Sequence, residues 1–250
     1  MKSSIVLRTH GGLGNQLFQI LYGRLFSRKL DLSLTEIHDI NYSHKFPRDK
    51  KLISSPTPNL LHRLISNVRL PKIIYKLKNI DGLPVLIGST YYLDGYYQGS
   101  KSFIEFEHHK ISEVLEEFRD ELEIKDPINK NSLLHFRLGD FFKRKKDAKE
   151  HVIERLQKAP NDSHIITNNE ELFNSSDIMD ELLIKNIKVL KTSKMNASEI
   201  LKLMSNYSTL YSNNSTLAFW GGVLANSKLI INHPELSILY KLFSGYSNKD

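Results

Sequence analysis

Apolar and polar positions change rhythm several times along the chain, and the changes mark out its elements. Residues 3 to 9 carry the run Ile5-Val6-Leu7, which reads as a buried strand. His10-Gly11-Gly12-Leu13-Gly14 interrupts it, and an apolar period of helical type then runs from Asn15 to Lys29, so the chain opens as strand, glycine loop and helix. From Asp31 to Asn59 the pattern fades among Pro47, Pro56 and Pro58, and the expectation there is loop. Leu60, Leu61, Leu64, Ile65 and Val68 return to helical spacing. Val85 to Gly88 and Tyr91 to Gln98 read as strands, and Ile111 to Leu122 as a helix rich in glutamate.

Asp126-Pro127-Ile128-Asn129-Lys130-Asn131 is the best linker, and beyond it the alternation becomes regular. Strands are expected at 133–137, 164–167, 187–190, 208–211 and 228–231, with helices near 147–157, 170–183, 197–205 and 215–225, and a last one from Glu235. Strands alternating with helices predict a parallel sheet covered on both faces. The expected class is therefore α/β, with two Rossmann-like domains facing a cleft. The first spans 1–128; the second spans 129–250, with a last helix that can pack back on the first.

Composition narrows the classes. A 250-residue chain with 40% hydrophobic and 25% charged residues is an ordinary globular protein. Its mean hydropathy is −0.35. No apolar stretch approaches the ~18 to 20 residues of a membrane span, and the start is too short in apolar residues for a signal core. The absence of cysteine excludes disulfides, zinc–thiolate sites and thiol nucleophiles. It also fits a cytoplasmic location. The formal charge of +7 points to an anionic partner, whether a phosphorylated small molecule, a nucleic acid or a membrane surface. Arg63, Arg69, Lys72, Lys76 and Lys78 share one amphipathic stretch, which makes residues 60–78 the candidate for peripheral contact with an anionic membrane.

In parallel sheets ligands bind beyond the carboxyl ends of the strands, so the strand-to-helix loops are where chemistry is expected. Three stand out. Gly11-Gly12-Leu13-Gly14-Asn15-Gln16 lets backbone approach a ligand, with Asn15 placed to cap the following helix. It is not a dinucleotide fingerprint, since the third glycine would fall at Leu17, and no Walker lysine follows. In His135-Phe136-Arg137-Leu138-Gly139-Asp140, His135 and Arg137 share a strand face, and arginine offers a planar fork for phosphate. Ser212-Asn213-Asn214-Ser215-Thr216 opens a helix, where backbone amides and hydroxyls suit an anion. Each loop also has a plain structural reading: a tight turn, an Arg137–Asp140 ion pair beside a packed histidine, and an ordinary helix cap. No Asp-x-Asp is present to hold a metal on a diphosphate, so Arg137 and a helix end are the expected carriers of its charge.

Gly11-Gly12-Leu13-Gly14-Asn15-Gln16-Leu17-Phe18-Gln19 resembles the N-terminal signature of the α-1,2-fucosyltransferases. Leu93 to Gln98 with Phe103 is similar to that family's Gly-Tyr-aromatic-Gln segment. His135-x-Arg137 with Asp140 is similar to its His-x-Arg-Arg-x-Asp motif. Leu203-Met204-Ser205 with Asn214-Ser215-Thr216-x-Ala218-Phe219-Trp220 is similar to its Asn-Ser-Thr-Phe-x-Trp-Trp block. The resemblance implies a GT-B fold, GDP-fucose as donor, no metal, inversion at the anomeric carbon and transfer to the 2-hydroxyl of a galactose. Such a galactose belongs to a surface-polysaccharide repeat, on a lipid-linked acceptor at the inner face of the plasma membrane. It implies catalytic roles for Arg137, His135 and Asp140. It implies substrate contacts from Gly12, Gly14, Asn15, Gln16, Asn168, Asn214, Ser215 and Thr216. Asp140, His135 and His10 are the candidates for the base.

The chain departs from the family at Leu138, where a second arginine is expected, so less positive charge reaches the phosphates. Thr167-Asn168-Asn169 replaces Ser-Asp-Asp, the 141–163 segment is short, and His233-Pro234-Glu235 lacks the expected Lys-Trp. These differences bear on acceptor identity more than on donor binding. Two other readings stay open: a basic nucleic-acid-binding module, which the donor reading excludes as a partner, and a catalytically weakened GDP-sugar-binding relative.

Overall fold

The computed structural model describes residues 4–38, 90–93, 95–138 and 145–244. They form two compact α/β units, the first ending at Leu122 and the second beginning at Glu123. In each, the described strands make a parallel sheet with helices packed on it, which is the class expected from the alternation.

In the first unit, β1 (Ser4–Thr9) buries Ile5, Val6 and Leu7 and leads into α1 (Leu13–Leu30). β2 (Ser33–His38) and β3 (Thr90–Leu93) lie parallel to β1 on either side, giving the order β2-β1-β3. β2 falls where a loop was expected. Its sequence, Ser-Leu-Thr-Glu-Ile-His, lacks the apolar alternation of a strand, and its buried position is Glu36. Pairing to β1 makes this a strand despite its pattern. α2 (His108–Glu121) buries Ile111, Val114, Leu115 and Phe118, one helical stripe. Arg24 of α1 ties it down, bonded to Glu117 and Glu121 with its guanidinium 5.1 Å from the Phe118 ring.

The second unit runs β4 (Asn129–Phe136), α3 (Lys145–Gln157), β5 (His164–Thr167), α4 (Ser176–Ile184), β6 (Lys188–Val189), α5 (Ala197–Ser205), β7 (Tyr207–Ser212), α6 (Thr216–Leu224), β8 (Lys228–Ile231) and α7 (Pro234–Ser244). All five strands are parallel, in the order β6-β5-β4-β7-β8. The helix expected over 170–183 is broken: Glu170–Asn174 is a 3₁₀ turn, and Ser175, in extended conformation, starts α4 anew. Serine competes for backbone hydrogen bonds in a helix interior and favours its start, so Ser175-Ser176 splits the run.

Leu134, Phe136 and Leu138 point alternately into one core layer with Val152, Leu156, Phe173 and Ile178. α6 is apolar nearly throughout, with Phe219 and Trp220 wholly buried, and Phe243 of α7 packs on both rings. Gly221 is required there, because a Cβ would lie 2.9 Å from the Cβ of Met204 on α5.

Candidate functional site

The strand order of the second unit places its site. The chain leaves β4 toward β5 and leaves β7 toward β8, so the two exit loops diverge and open a crevice at the carboxyl ends of the sheet. His135 stands opposite Ser212 in the ladder, with Nδ1 and Oγ 3.4 Å apart. Arg137 follows on the β4 exit. On the β7 exit, Asn213 Nδ2 donates to the Arg137 carbonyl at 3.4 Å, and Asn214 leads to Ser215. Ser215 is the N-cap of α6, accepting from the Ala218 amide at 3.3 Å, and Thr216 is the helix's first residue.

From the β5 exit, Asn168 Oδ1 accepts from the Leu138 amide at 2.8 Å. Of the expected residues, this edge gathers His135, Arg137, Asn168, Asn214, Ser215 and Thr216. Asp140 lies outside the described residues. Leu138, expected only as a missing charge, is 2% exposed and belongs to the core layer.

The crevice can hold an anion. Arg137 brings a fixed positive charge and α6 the positive end of a helix dipole. His135 adds no charge of its own: burial first, then the Arg137 and Arg155 guanidinium groups, push its pKa down from 6.5 to about 3. It is a neutral ring at any pH near 7 and a weak proton acceptor. Among the described residues no group of three or more His, Asp or Glu side chains could hold a metal ion.

This neutrality carries a pH signature. Between about pH 6.5 and 3 the unfolded chain binds a proton at His135 that the folded chain refuses. Stability therefore falls with acidification through that window, by about 1.4 kcal/mol per pH unit for this group alone. His135→Asn should flatten the loss of urea resistance between pH 7 and pH 5; an unchanged acid slope would contradict a neutral His135.

The first unit has a comparable edge where β1 and β3 end. Gly11 sits at φ 83°, and a Cβ on it would come within 3.0 Å of Asn15 Nδ2, so the turn needs glycine. Gln16 Nε2 donates to the Gly11 carbonyl at 2.6 Å. Asn15, expected as a helix cap, is not one: α1 already begins at Leu13 with Gly12 as N-cap, and Asn15 Oδ1 instead accepts from Gln98 Nε2 at 2.8 Å. Gly14 is buried in the first turn of α1. The His10 ring meets Tyr96 edge-on at 4.5 Å between centroids. Its backbone amide is held at 2.9 Å by Oε1 of the fully buried Gln19.

Sequence reasoning included Ser212 and Asn213 in the loop before α6 but gave neither a role of its own. Their place one strand over from His135 and Arg137 follows from register, which only the sheet order supplies. Residues 60–78, singled out for membrane contact, lie outside the described residues. Among the described residues no helix is long and apolar enough to cross a membrane.

No family model matches the chain, and no curated protein does. Among solved structures the chain is similar to the α-1,6-fucosyltransferase NodZ co-crystallized with GDP, with 12% identity, a TM-score of 0.46 and coverage of 90% of this chain and 93% of that one. It is also similar to POFUT1 in complex with GDP, with 12% identity, a TM-score of 0.48 and coverage of 92% and 98%. The apo form of POFUT1 gives 11% identity and a TM-score of 0.45 over 92% and 97%.

Proposed function

We propose that this chain is an inverting, metal-independent glycosyltransferase that moves L-fucose from GDP-fucose to a glycan hydroxyl, the 2-hydroxyl of a galactose. The observation that carries the reading is the tie between the exits of β4 and β7, where the Asn213 amide donates to the Arg137 carbonyl and Ser215, two residues on, caps α6. Diphosphate is the group that such a fork and helix end would hold. The resemblance of the four ordered motifs to the α-1,2-fucosyltransferases names GDP-fucose as its source.

In this reading, bond breaking at the anomeric carbon puts negative charge on the departing GDP while the fucosyl ring becomes oxocarbenium-like. Arg137 and the α6 amides would meet that charge as it grows and so would bind the transition state more tightly than the ground state. The acceptor hydroxyl attacks from the opposite face and loses its proton to a base, for which Asp140, His10 and the weakly basic His135 are the candidates. The first unit, with His10, Gly12, Gly14, Asn15 and Gln16, would hold the acceptor side. A lipid-linked acceptor, approached through residues 60–78, fits a cytoplasmic enzyme peripheral to the inner face of the plasma membrane.

Transfer of radiolabelled fucose from GDP-fucose to galactose-terminated acceptors should proceed undiminished in EDTA, and GDP should raise the melting temperature. Absence of transfer across a broad acceptor panel, together with no GDP protection, would overturn the reading. Salt-dependent binding to DNA or RNA without any GDP preference would replace it with a nucleic-acid module.

A further inference from the structure

We propose that Asn168 and Asn213 act together as a polar clamp on a single peptide bond, the one joining Arg137 to Leu138, and that this clamp aims the Arg137 guanidinium. The inference rests on the donor reading above, which gives Arg137 its task.

The backbone ladder of β4 pairs Phe136 with Thr167 of β5 and His135 with Ser212 of β7. Asn168 and Asn213 are the very next residues on those two neighbours. Where the strands part, their side chains reach back toward β4 and continue the sheet by one rung. Asn168 Oδ1 takes the Leu138 N–H at 2.8 Å from one side, and Asn213 Nδ2 gives to the Arg137 C=O at 3.4 Å from the other. Both polar groups of one peptide plane are thus held, each by a different strand. Leu138, seated in the core at 2% exposure, anchors the chain immediately after it.

Arg137 would otherwise begin a loop at the mouth of the crevice. A long side chain on a wandering backbone loses more freedom when it binds, and its fork meets the ligand less often in register. The clamp removes the backbone part of that cost before any ligand arrives.

The grips have opposite polarity. Position 168 must offer an acceptor, which aspartate also supplies. Position 213 must offer a donor, which aspartate lacks. Asn213 is moreover nine-tenths buried, and its Oδ1 has no hydrogen-bond partner among the described residues, so a carboxylate there would be buried against a carbonyl. Asn168 is exposed, which makes it the safer place to cut.

The test combines amide hydrogen exchange at Leu138, read by NMR on the full chain, with GDP and guanosine titrations. Asn168→Ala should speed Leu138 exchange about tenfold, the loss of one hydrogen bond, without lowering the protection of Leu134 or Ile165. Asn168→Asp should restore that protection. Asn168→Ala and Asn213→Ala should each weaken GDP about tenfold while leaving the affinity for guanosine, which has no phosphate, unchanged. Unchanged Leu138 exchange in Asn168→Ala, or an Asp variant no better protected than the Ala variant, would overturn the clamp. So would altered exchange with full GDP affinity in a protein where Arg137→Ala does abolish GDP binding. If Arg137→Ala binds GDP as the parent does, it is the donor reading that fails, and the exchange result still judges the geometry separately.

Discussion

Replacing Arg137 by alanine is expected to reduce GDP affinity by about 10²- to 10³-fold, the loss of a charge-assisted, two-pronged contact to phosphate worth about 3–4 kcal/mol. None of the other residues placed at that edge can take over. Asn168, Asn213, Asn214, Ser215 and Thr216 are neutral, and His135 is held neutral. Arg137→Lys should recover only part of the affinity, because an ammonium is a point donor without the planar fork. The alanine variant should keep its fold, since Arg137 is only half-buried and lies just past the end of β4.

A second consequence reads the same substitution from inside the protein. The Arg137 charge is the larger of two neighbouring charges that hold His135 down. Its removal should let the His135 pKa rise toward 6.5, though not reach it, because burial remains the leading cause. Calorimetry with GDP and an NMR titration of the His135 ring would check both. Full GDP affinity in Arg137→Ala would move the donor site away from the β4–β7 edge.

Much of this edge could be read from the sequence. The apolar pairs Leu133-Leu134 and Ile165-Ile166 mark β4 and β5 as buried strands, and helices between the strands leave few topologies to choose from. Glycine and asparagine at strand exits singled out loops that the fold places at the carboxyl ends of the two sheets. What could not be read was the direction of each amide. Asn168, Asn213, Gln16 and Gln19 look alike in a motif, as groups that could meet a ligand. In the fold all four hold main-chain atoms of a central strand's exit, taking the Leu138 and His10 N–H groups and donating to the Arg137 and Gly11 carbonyls. An amide serves equally as donor or acceptor, so composition is silent about its partner. The state of His135 was hidden for a related reason. It depends on burial and on Arg137 and Arg155, one two residues away and the other on α3. β2 was missed because its burial pattern includes a carboxylate, Glu36, whose pKa is raised by its own burial and only partly countered by Arg24.

Restoring the arginine that the resembling family carries after Arg137 is expected to damage this protein rather than improve it. From the motif alone, Leu138→Arg should add charge to the phosphate site. In the fold, residue 138 continues the inward alternation of Leu134 and Phe136 and packs with Val152, Leu156 and Phe173. A guanidinium there would lose the leucine's apolar contacts and face a layer whose nearest members are apolar. The expected cost is about 3–5 kcal/mol, the range for an uncompensated buried charge. Because the Leu138 amide is also one of the two groups gripped from the neighbouring strands, any backbone shift that lets the new side chain escape to solvent would pull on Arg137 as well. GDP affinity should therefore fall, not rise, alongside the urea midpoint. Leu138→Met, which keeps volume and apolarity, should leave both nearly unchanged. A stable Leu138→Arg protein that binds GDP more tightly would show that position 138 faces the donor after all.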